Sequence, residues 1–114
     1  MQRVLIVDDE PVVRRLIGIY LRGRFIVEEA EDGEKALRKA AGGGYDYVIT
    51  DVQMPRMDGL HLLGELKRIC PRTSVIVMSA LGELYAESAM ERGAQTVISK
   101  PFVRDTIQTA LQCA

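Results

Sequence analysis

Five polar residues of this 114-residue chain have the types and spacing needed to bind a metal ion and a phosphoryl group together. They are Asp8, Asp9, Asp51, Ser79 and Lys100. Three carboxylates that meet at one place repel each other unless a cation lies among them, and Mg²⁺ suits such oxygen ligands. A lysine and a hydroxyl beside that ion would stabilise the charge that develops on a phosphoryl group during its transfer. The set therefore predicts magnesium-assisted phosphoryl chemistry.

Each of these residues also has a plainer explanation when it is taken alone. Asp8 or Asp9 could cap the helix that begins at Pro11. Ser79 could be a turn hydroxyl, and Lys100 could be a solvated surface charge. Because caps and turns are common uses of these residue types, the functional interpretation depends on whether the fold brings the whole set together.

The elements that must position these residues follow from the alternation of short apolar runs with amphipathic helical patterns. We predict strands at Val4–Val7, Phe25–Val27, Tyr47–Ile49, Val75–Met78 and Thr96–Ile98. We predict helices at about Pro11–Arg22, Gly33–Ala41, Asp58–Cys70, Glu83–Arg92 and Phe102–Cys113. Strands separated by helices imply right-handed crossovers and a parallel sheet covered on both faces, which is the α/β class. Sites in such sheets form beyond the carboxyl ends of the strands, where the five polar residues stand.

The spacing of apolar residues also predicts which helix faces pack on the sheet. In the first helix, one face carries Val12, Leu16, Ile19 and Tyr20, and the opposite, solvated face carries Arg14, Arg15 and Arg22. In the third helix, the inward residues are Leu62, Leu63, Leu66 and Ile69. In the last helix, one stripe carries Phe102, Ile107 and Leu111.

Composition excludes several classes of protein. With 15 basic and 16 acidic residues, the net charge of -1 provides no field that would hold nucleic acid or an anionic membrane. The chain has no long apolar run and no signal-peptide profile, so we expect a cytoplasmic protein. Cys70 and Cys113 are far apart and without a CxxC pattern, and we interpret both as ordinary thiols. We expect one domain over residues 1–114, with no output domain.

Four motifs together resemble the receiver domain of two-component response regulators, the CheY-like superfamily. They are Asp8-Asp9, the segment Thr50–Gly59 around Asp51, Ser79-Ala80, and Lys100-Pro101-Phe102. The match covers essentially the whole chain, with the motifs in the same order. This resemblance implies a doubly wound, flavodoxin-like (βα)5 three-layer sandwich with a five-stranded parallel sheet in the order 2-1-3-4-5.

The resemblance also implies a role for each residue of the site. Asp51 would be the phosphoacceptor that takes a phosphoryl group from a phosphohistidine. Mg²⁺ would be bound directly by Asp9, by Asp51 and by the main-chain carbonyl of Gln53, while Asp8 would act mainly through a metal-bound water. The phosphoryl oxygens would be held by Ser79, Lys100 and the main-chain N–H groups of Val52 and Ala80.

Two features at the end of the chain bear on signalling. The resemblance implies a cis peptide bond between Lys100 and Pro101. It also implies that Ser79 moves toward the phosphoryl group and shifts the balance between two surface states around the fourth helix, fifth strand and fifth helix. At position 97, where the family usually has tyrosine or phenylalanine that moves with the switch, this chain has Val97.

The resemblance implies a sensor histidine kinase or a phosphotransfer protein as the phosphoryl donor, and a downstream effector or output domain as the receiver of the signal. A dimer through the face of the fourth helix, fifth strand and fifth helix is a further expectation. The protein would not be an enzyme beyond its own phosphorylation and dephosphorylation at Asp51. The alternative is a phosphorylation-independent interaction module with the same fold, which Val97 alone favours. An aspartate-based phosphohydrolase fits less well, because no second carboxylate follows Asp51 closely.

Overall fold

The computed structural model describes residues 1–112, which form five strands and five helices in strict alternation. The strands are β1 (Arg3–Val7), β2 (Ile26–Ala30), β3 (Tyr47–Asp51), β4 (Ser74–Ser79) and β5 (Thr96–Ser99). The helices are α1 (Pro11–Leu21), α2 (Gly33–Ala41), α3 (Gly59–Ile69), α4 (Gly82–Glu91) and α5 (Arg104–Gln112). All strand pairs are parallel, and the sheet order is β2-β1-β3-β4-β5. The predicted fold class and strand order are therefore confirmed.

The inner strands β1, β3 and β4 are buried on both faces of the sheet, toward which the successive side chains of each strand alternate. In β1, Leu5 and Val7 pack in the core layer beneath α2, α3 and α4, whereas Val4 and Ile6 pack in the layer beneath α1 and α5. All four side chains are 0% exposed. The continuous apolar run of β1 is thus explained by two separate cores, which hold the end of the strand in a fixed place.

Helix α1 packs on the sheet through a different stripe from the predicted one. Ile17 and Leu21 are buried, whereas Val12, Leu16 and Ile19 are 77%, 38% and 45% exposed. The helix carries two apolar stripes at helical spacing, and periodicity alone does not decide which one meets the sheet. The inward prediction is therefore wrong for Val12, Leu16 and Ile19, which we call the α1 face, whereas Tyr20 of the predicted stripe is half-buried against the layer beneath α1 and α5.

The helix ends differ from the predictions in smaller ways. Ile69 was expected to point inward, but it is 37% exposed because it is the last residue of α3, beyond the three buried leucines of that helix. Helix α5 begins at Arg104 rather than Phe102, which lies half-buried in the preceding loop. The predicted end of this helix at Cys113 lies outside the described residues.

Two general expectations concern residues 1–112. None of their helices combines the length and the apolar character that crossing a membrane requires. Cys70 is a free, half-buried thiol, whereas Cys113 lies outside the described residues.

Candidate functional site

The carboxyl ends of four neighbouring strands bring the predicted residues to one edge of the sheet. Asp8 directly follows β1, Asp51 ends β3 and Ser79 ends β4. In the register of the sheet, Asp51 pairs with Met78, and Ser79 pairs with Ser99, the residue before Lys100. The strand order therefore places an acidic group, a hydroxyl and an ammonium group on adjacent strand ends, as parallel pairing requires.

Lys100 links two of the carboxylates. Its Nζ donates a hydrogen bond to Oδ2 of Asp51 at 2.9 Å and to Oδ2 of Asp8 at 3.3 Å. Burial opposes the charge of Lys100, but the hydrogen bond to Asp51 and the charges of Asp8 and Asp51 outweigh it and raise the pKa of the ammonium group. Lys100 is therefore a fixed positive charge facing both carboxylates.

Asp8 is the most deeply buried charged group of the site, with 0% of its surface exposed. Its Oδ1 accepts a hydrogen bond from the N–H of Glu10 at 2.9 Å. Burial raises the pKa of Asp8 and the charge of Asp51 adds to this effect, although the N–H of Glu10 and the charge of Lys100 oppose it. The fold thus holds a carboxylate whose charge is only partly compensated by the described protein groups.

Replacing Asp8 with asparagine should stabilise the metal-free protein at neutral pH by about 1 kcal/mol, because it removes a buried charge and keeps the oxygen that accepts the Glu10 N–H. A carboxyl whose pKa is higher in the folded than in the unfolded protein weakens the fold once it ionises. The gain from Asp8→Asn should therefore shrink as the pH falls toward about 3.9, the ordinary pKa of aspartate.

Thermal unfolding of both proteins at neutral and acidic pH measures this difference. Addition of Mg²⁺ should make the wild type the more stable of the two proteins, because only the wild type keeps the full acidic site. A variant that is less stable than wild type at neutral pH without metal would contradict the prediction.

The acidic side of the site fits a hard divalent cation. Asp8, Asp9 and Glu10 each offer a carboxylate oxygen, and the three oxygens lie within 4.8 Å of one another. Asp9 and Glu10 are exposed, so the group is open to solvent on one side. Carboxylate oxygens together with water are the ligands that Mg²⁺ prefers. Asp51 is outside this group of three and is joined to Asp8 through Lys100.

Two predicted phosphoryl contacts, from Ser79 and Val52, look different in the structure. Oγ of Ser79 accepts a hydrogen bond from the N–H of Leu81 at 2.9 Å, which leaves the serine hydroxyl hydrogen available for another acceptor. The N–H of Val52 donates to the carbonyl oxygen of Met78 at 2.9 Å. Because this N–H continues the pairing of β3 with β4, the predicted contact from Val52 is not available in this structure.

The N–H of Gln53 stands next to the phosphoacceptor instead. It donates to Oδ1 of Asp51 at 3.1 Å. Gln53 and Ala80, in the loops after β3 and β4, are both exposed. The carboxylate of Asp51 is 7% exposed and remains in contact with Lys100 on its other oxygen.

The remaining predicted positions, Pro101 and Val97, lie on and beside β5. The Lys100–Pro101 peptide bond is cis, the geometry that the resemblance implies. Val97 is half-buried and packs against the core layer beneath α2, α3 and α4. A valine at this place fills the core without an aromatic ring that could turn between inward and outward positions.

Sequence reasoning missed two residues that shape this site, Gly59 and Arg14. Gly59 begins α3 and donates its N–H to the carbonyl oxygen of Val52 at 2.7 Å, which ties the helix to the backbone that follows Asp51. Arg14 was assigned to a solvated face, but its side chain is only 15% exposed and its Nη1 donates to the carbonyl oxygen of Asp8. The glycine could have been found from its place directly after the capping residue Asp58, whereas nothing in the sequence separates Arg14 from its neighbour Arg15.

Comparison with known proteins gives consistent matches over nearly the whole chain. The sequence model of the response regulator receiver domain matches residues 4–112. The chemotaxis protein CheY of Bacillus subtilis (strain 168) is 38% identical over 112 residues, which cover 96% of this chain and 93% of CheY. The transcriptional regulatory protein ResD of the same organism is 34% identical over 102 residues, which cover 88% of this chain but 42% of ResD. The structure of TrrA from Thermotoga maritima in complex with Mg²⁺-BeF has a TM-score of 0.89 and 32% identity, and the match covers 98% of this chain and 97% of TrrA.

Proposed function

This chain belongs to the response regulator receiver domain family, and on that premise we propose that Asp51 accepts a phosphoryl group from a phosphohistidine in a two-component system. Residues 1–114 then act as one receiver domain. The observation that carries the proposal is the pair of hydrogen bonds from Lys100 to Asp51 and Asp8, at 2.9 and 3.3 Å. A nucleophilic carboxylate, a second carboxylate and a fixed ammonium group are together the parts that phosphoryl transfer to aspartate needs.

The chemical step is a displacement at phosphorus. An oxygen of the Asp51 carboxylate attacks the phosphorus atom, the new P–O bond forms and the P–N bond to the donor imidazole breaks. The electron pair of the broken bond stays on the imidazole nitrogen, which takes up a proton. Lys100 stabilises the negative charge on the phosphoryl oxygens, and the hydroxyl of Ser79 donates a hydrogen bond to one of them.

Asp8, Asp9 and Asp51 would hold Mg²⁺, with the main-chain carbonyl of Gln53 as a further ligand. The ion supplies positive charge that offsets the repulsion between these carboxylates and the incoming phosphoryl group. The site's carboxylates provide hard oxygen ligands in a partly solvated setting, and the similar protein TrrA is described in a complex with Mg²⁺-BeF. The main-chain N–H of Gln53 would be the backbone donor nearest to the product phosphate.

Incubation with Mg²⁺ and a small-molecule phosphodonor, followed by intact mass measurement, tests the proposal. The wild type should gain one phosphoryl group, and neither Asp51→Asn nor wild type with excess chelator should gain it. Absence of the adduct in the wild type, with both this donor and a panel of histidine kinases, would favour the interaction-module alternative. The replacement of the usual aromatic residue by Val97 is the observation that keeps this alternative open.

We place the docking site for the phosphohistidine donor on the α1 face. Val12, Leu16 and Ile19 are exposed on the helix that begins three residues after Asp8, so a helical partner resting there would lie close to the acidic site. An exposed aliphatic stripe of this kind fits the apolar side of a partner helix. The output would be read on α4, β5 and α5 by an effector, an output domain or a second copy of the chain.

Leu16→Glu should slow phosphorylation by a phosphohistidine protein about tenfold or more and leave phosphorylation by a small-molecule donor unchanged. The matched control is Ile69→Glu, since Leu16 and Ile69 are 38% and 37% exposed but lie on opposite faces of the sheet. The rates are measured by mass spectrometry with a phosphotransfer domain that phosphorylates the wild type. Equal rates for the two variants with that donor would remove the α1 face as the docking site.

A further inference from the structure

Arg14 joins the loop between β1 and α1 to the end of β2. Its Nη1 donates a hydrogen bond to the main-chain carbonyl oxygen of Asp8 at 2.6 Å, and its Nε donates to Oε1 of Glu29 at 2.9 Å. The side chains of Arg14 and Glu29 are 15% and 48% exposed, so the contact with the Asp8 carbonyl is partly buried, whereas the contact with Glu29 is open to solvent. The N–H of Asp8 donates to the carbonyl oxygen of Ala30, the last residue of β2, at 3.2 Å.

The carbonyl that Arg14 holds belongs to the peptide unit between Asp8 and Asp9. Fixing the plane of that peptide fixes the position of the Asp9 Cα atom, from which the Asp9 side chain leaves the backbone. Asp9 is exposed, and no hydrogen bond or ion pair of its side chain is found among the described residues, so the restraint that the protein places on its carboxylate comes through the backbone. We propose that Arg14 is a positioning residue for the divalent cation site: it presents the Asp9 carboxylate to the metal by anchoring the Asp8 carbonyl.

Arginine is suited to this task because its planar guanidinium donates in two directions at once. A lysine at the same place would keep the charge but could not reproduce the Nε and Nη1 contacts together. Residues that orient a metal ligand without touching the metal typically change metal affinity by about 10–100-fold when they are replaced. The inference rests on the proposed function, since it takes Asp9 to be a magnesium ligand.

The direction in which Mg²⁺ affinity changes when Arg14 is replaced separates a positioning role from a purely electrostatic one. Arg14 brings a positive charge close to an acidic cation site, so its removal would strengthen Mg²⁺ binding if charge were its only influence. Loss of positioning acts in the opposite direction and weakens binding. A purely structural contribution would lower the melting temperature and leave Mg²⁺ affinity unchanged well below the unfolding transition.

Calorimetric titration with Mg²⁺ alone, on wild type, Arg14→Gln and Arg14→Lys, tests the inference. We expect the dissociation constant for Mg²⁺ to rise about tenfold in Arg14→Gln. It should rise also in Arg14→Lys, which keeps the positive charge and serves as the test if the glutamine variant folds poorly. Arg15→Gln is the matched control, because Arg15 is exposed on the same helix, and it should bind Mg²⁺ as tightly as wild type or more tightly.

The outcomes separate the failure of this inference from that of the proposed function. Unchanged or tighter binding in both Arg14 variants would overturn the positioning role while leaving the proposed function standing. Absence of Mg²⁺ binding in the wild type would overturn both.

Discussion

Replacing Lys100 with methionine should lower the rate of Asp51 phosphorylation by a small-molecule donor about a hundredfold. Among the described residues, the ammonium group of Lys100 is the cation in contact with the Asp51 carboxylate. Loss of one such charge-stabilising donor typically lowers the reaction rate by a factor of about 10²–10³. The same change should strengthen Mg²⁺ binding, because Asp8 and Asp51 lose the cation that shares their oxygens. Rate and affinity thus move in opposite directions, which general damage to the site would not produce.

The metal-free Lys100→Met protein should also be less stable, by about 2 kcal/mol, because two carboxylates that are 0% and 5% exposed lose the cation that they share. Chemical denaturation with and without Mg²⁺ measures this, and the metal should restore much of the loss. Lys100→Arg keeps the positive charge and the fold but not the position of the donor nitrogen between Asp51 and Asp8. Its rate of Asp51 phosphorylation should therefore fall as well. Lys35→Met removes an exposed lysine that pairs with Glu31, and it should match wild type. A Lys100→Met protein phosphorylated at the wild-type rate would contradict the assigned role.

Replacing Gly59 with alanine should destabilise the fold by about 3 kcal/mol and remove most phosphorylation. A Cβ at this position would lie 2.1 Å from the carbonyl oxygen of Asp51 and 2.7 Å from Cα of Val52. Both are backbone atoms, so the clash is relieved only by moving α3 away from the end of β3. That movement breaks the 2.7 Å hydrogen bond from Gly59 to Val52 and shifts the phosphoacceptor itself.

Gly64 provides the control within the same helix. A Cβ added there meets no atom within 4 Å, and alanine is favoured over glycine inside a helix by about 0.5–1 kcal/mol. Gly64→Ala should therefore be slightly more stable than wild type and be phosphorylated normally. Denaturation and phosphorylation of the two variants are compared under the same conditions. Equal stability of Gly59→Ala and Gly64→Ala would refute the close approach of α3 to β3.

The fold was predictable because its signals are local and consistent. The inner strands are short runs rich in β-branched residues, and a helical pattern separates each strand from the next, so parallel pairing and the burial of the inner strands on both faces follow directly. The predicted placement of Asp8, Asp51, Ser79 and Lys100 at one edge then follows from strand polarity. The strand order and the individual roles came from the resemblance to the receiver family rather than from periodicity.

The parts that sequence did not predict depend on contacts between distant segments. Arg14 and Arg15 are adjacent arginines, but the first contacts Glu29 on β2 and the carbonyl oxygen of Asp8 and is half-buried, whereas the second is exposed. The helical spacing of the α1 face is that of a core-facing stripe, but a second apolar stripe, with Ile17 and Leu21, packs on the sheet instead. The N–H of Val52 is used in the sheet because the β3–β4 pairing continues one residue beyond Asp51. No residue type in the sequence predicts where that pairing ends.

The measurement that tests the central claim most directly is the identification of the modified residue. Borohydride reduces an acyl phosphate to an alcohol, so a phosphorylated aspartate becomes homoserine, which peptide mass spectrometry locates. After incubation with Mg²⁺ and a phosphodonor, we expect homoserine at Asp51 and at no other carboxylate, and none when the metal is chelated. Homoserine at Asp8 or Asp9, or at no position despite a phosphoryl adduct on the intact protein, would contradict the assignment of Asp51 as the phosphoacceptor.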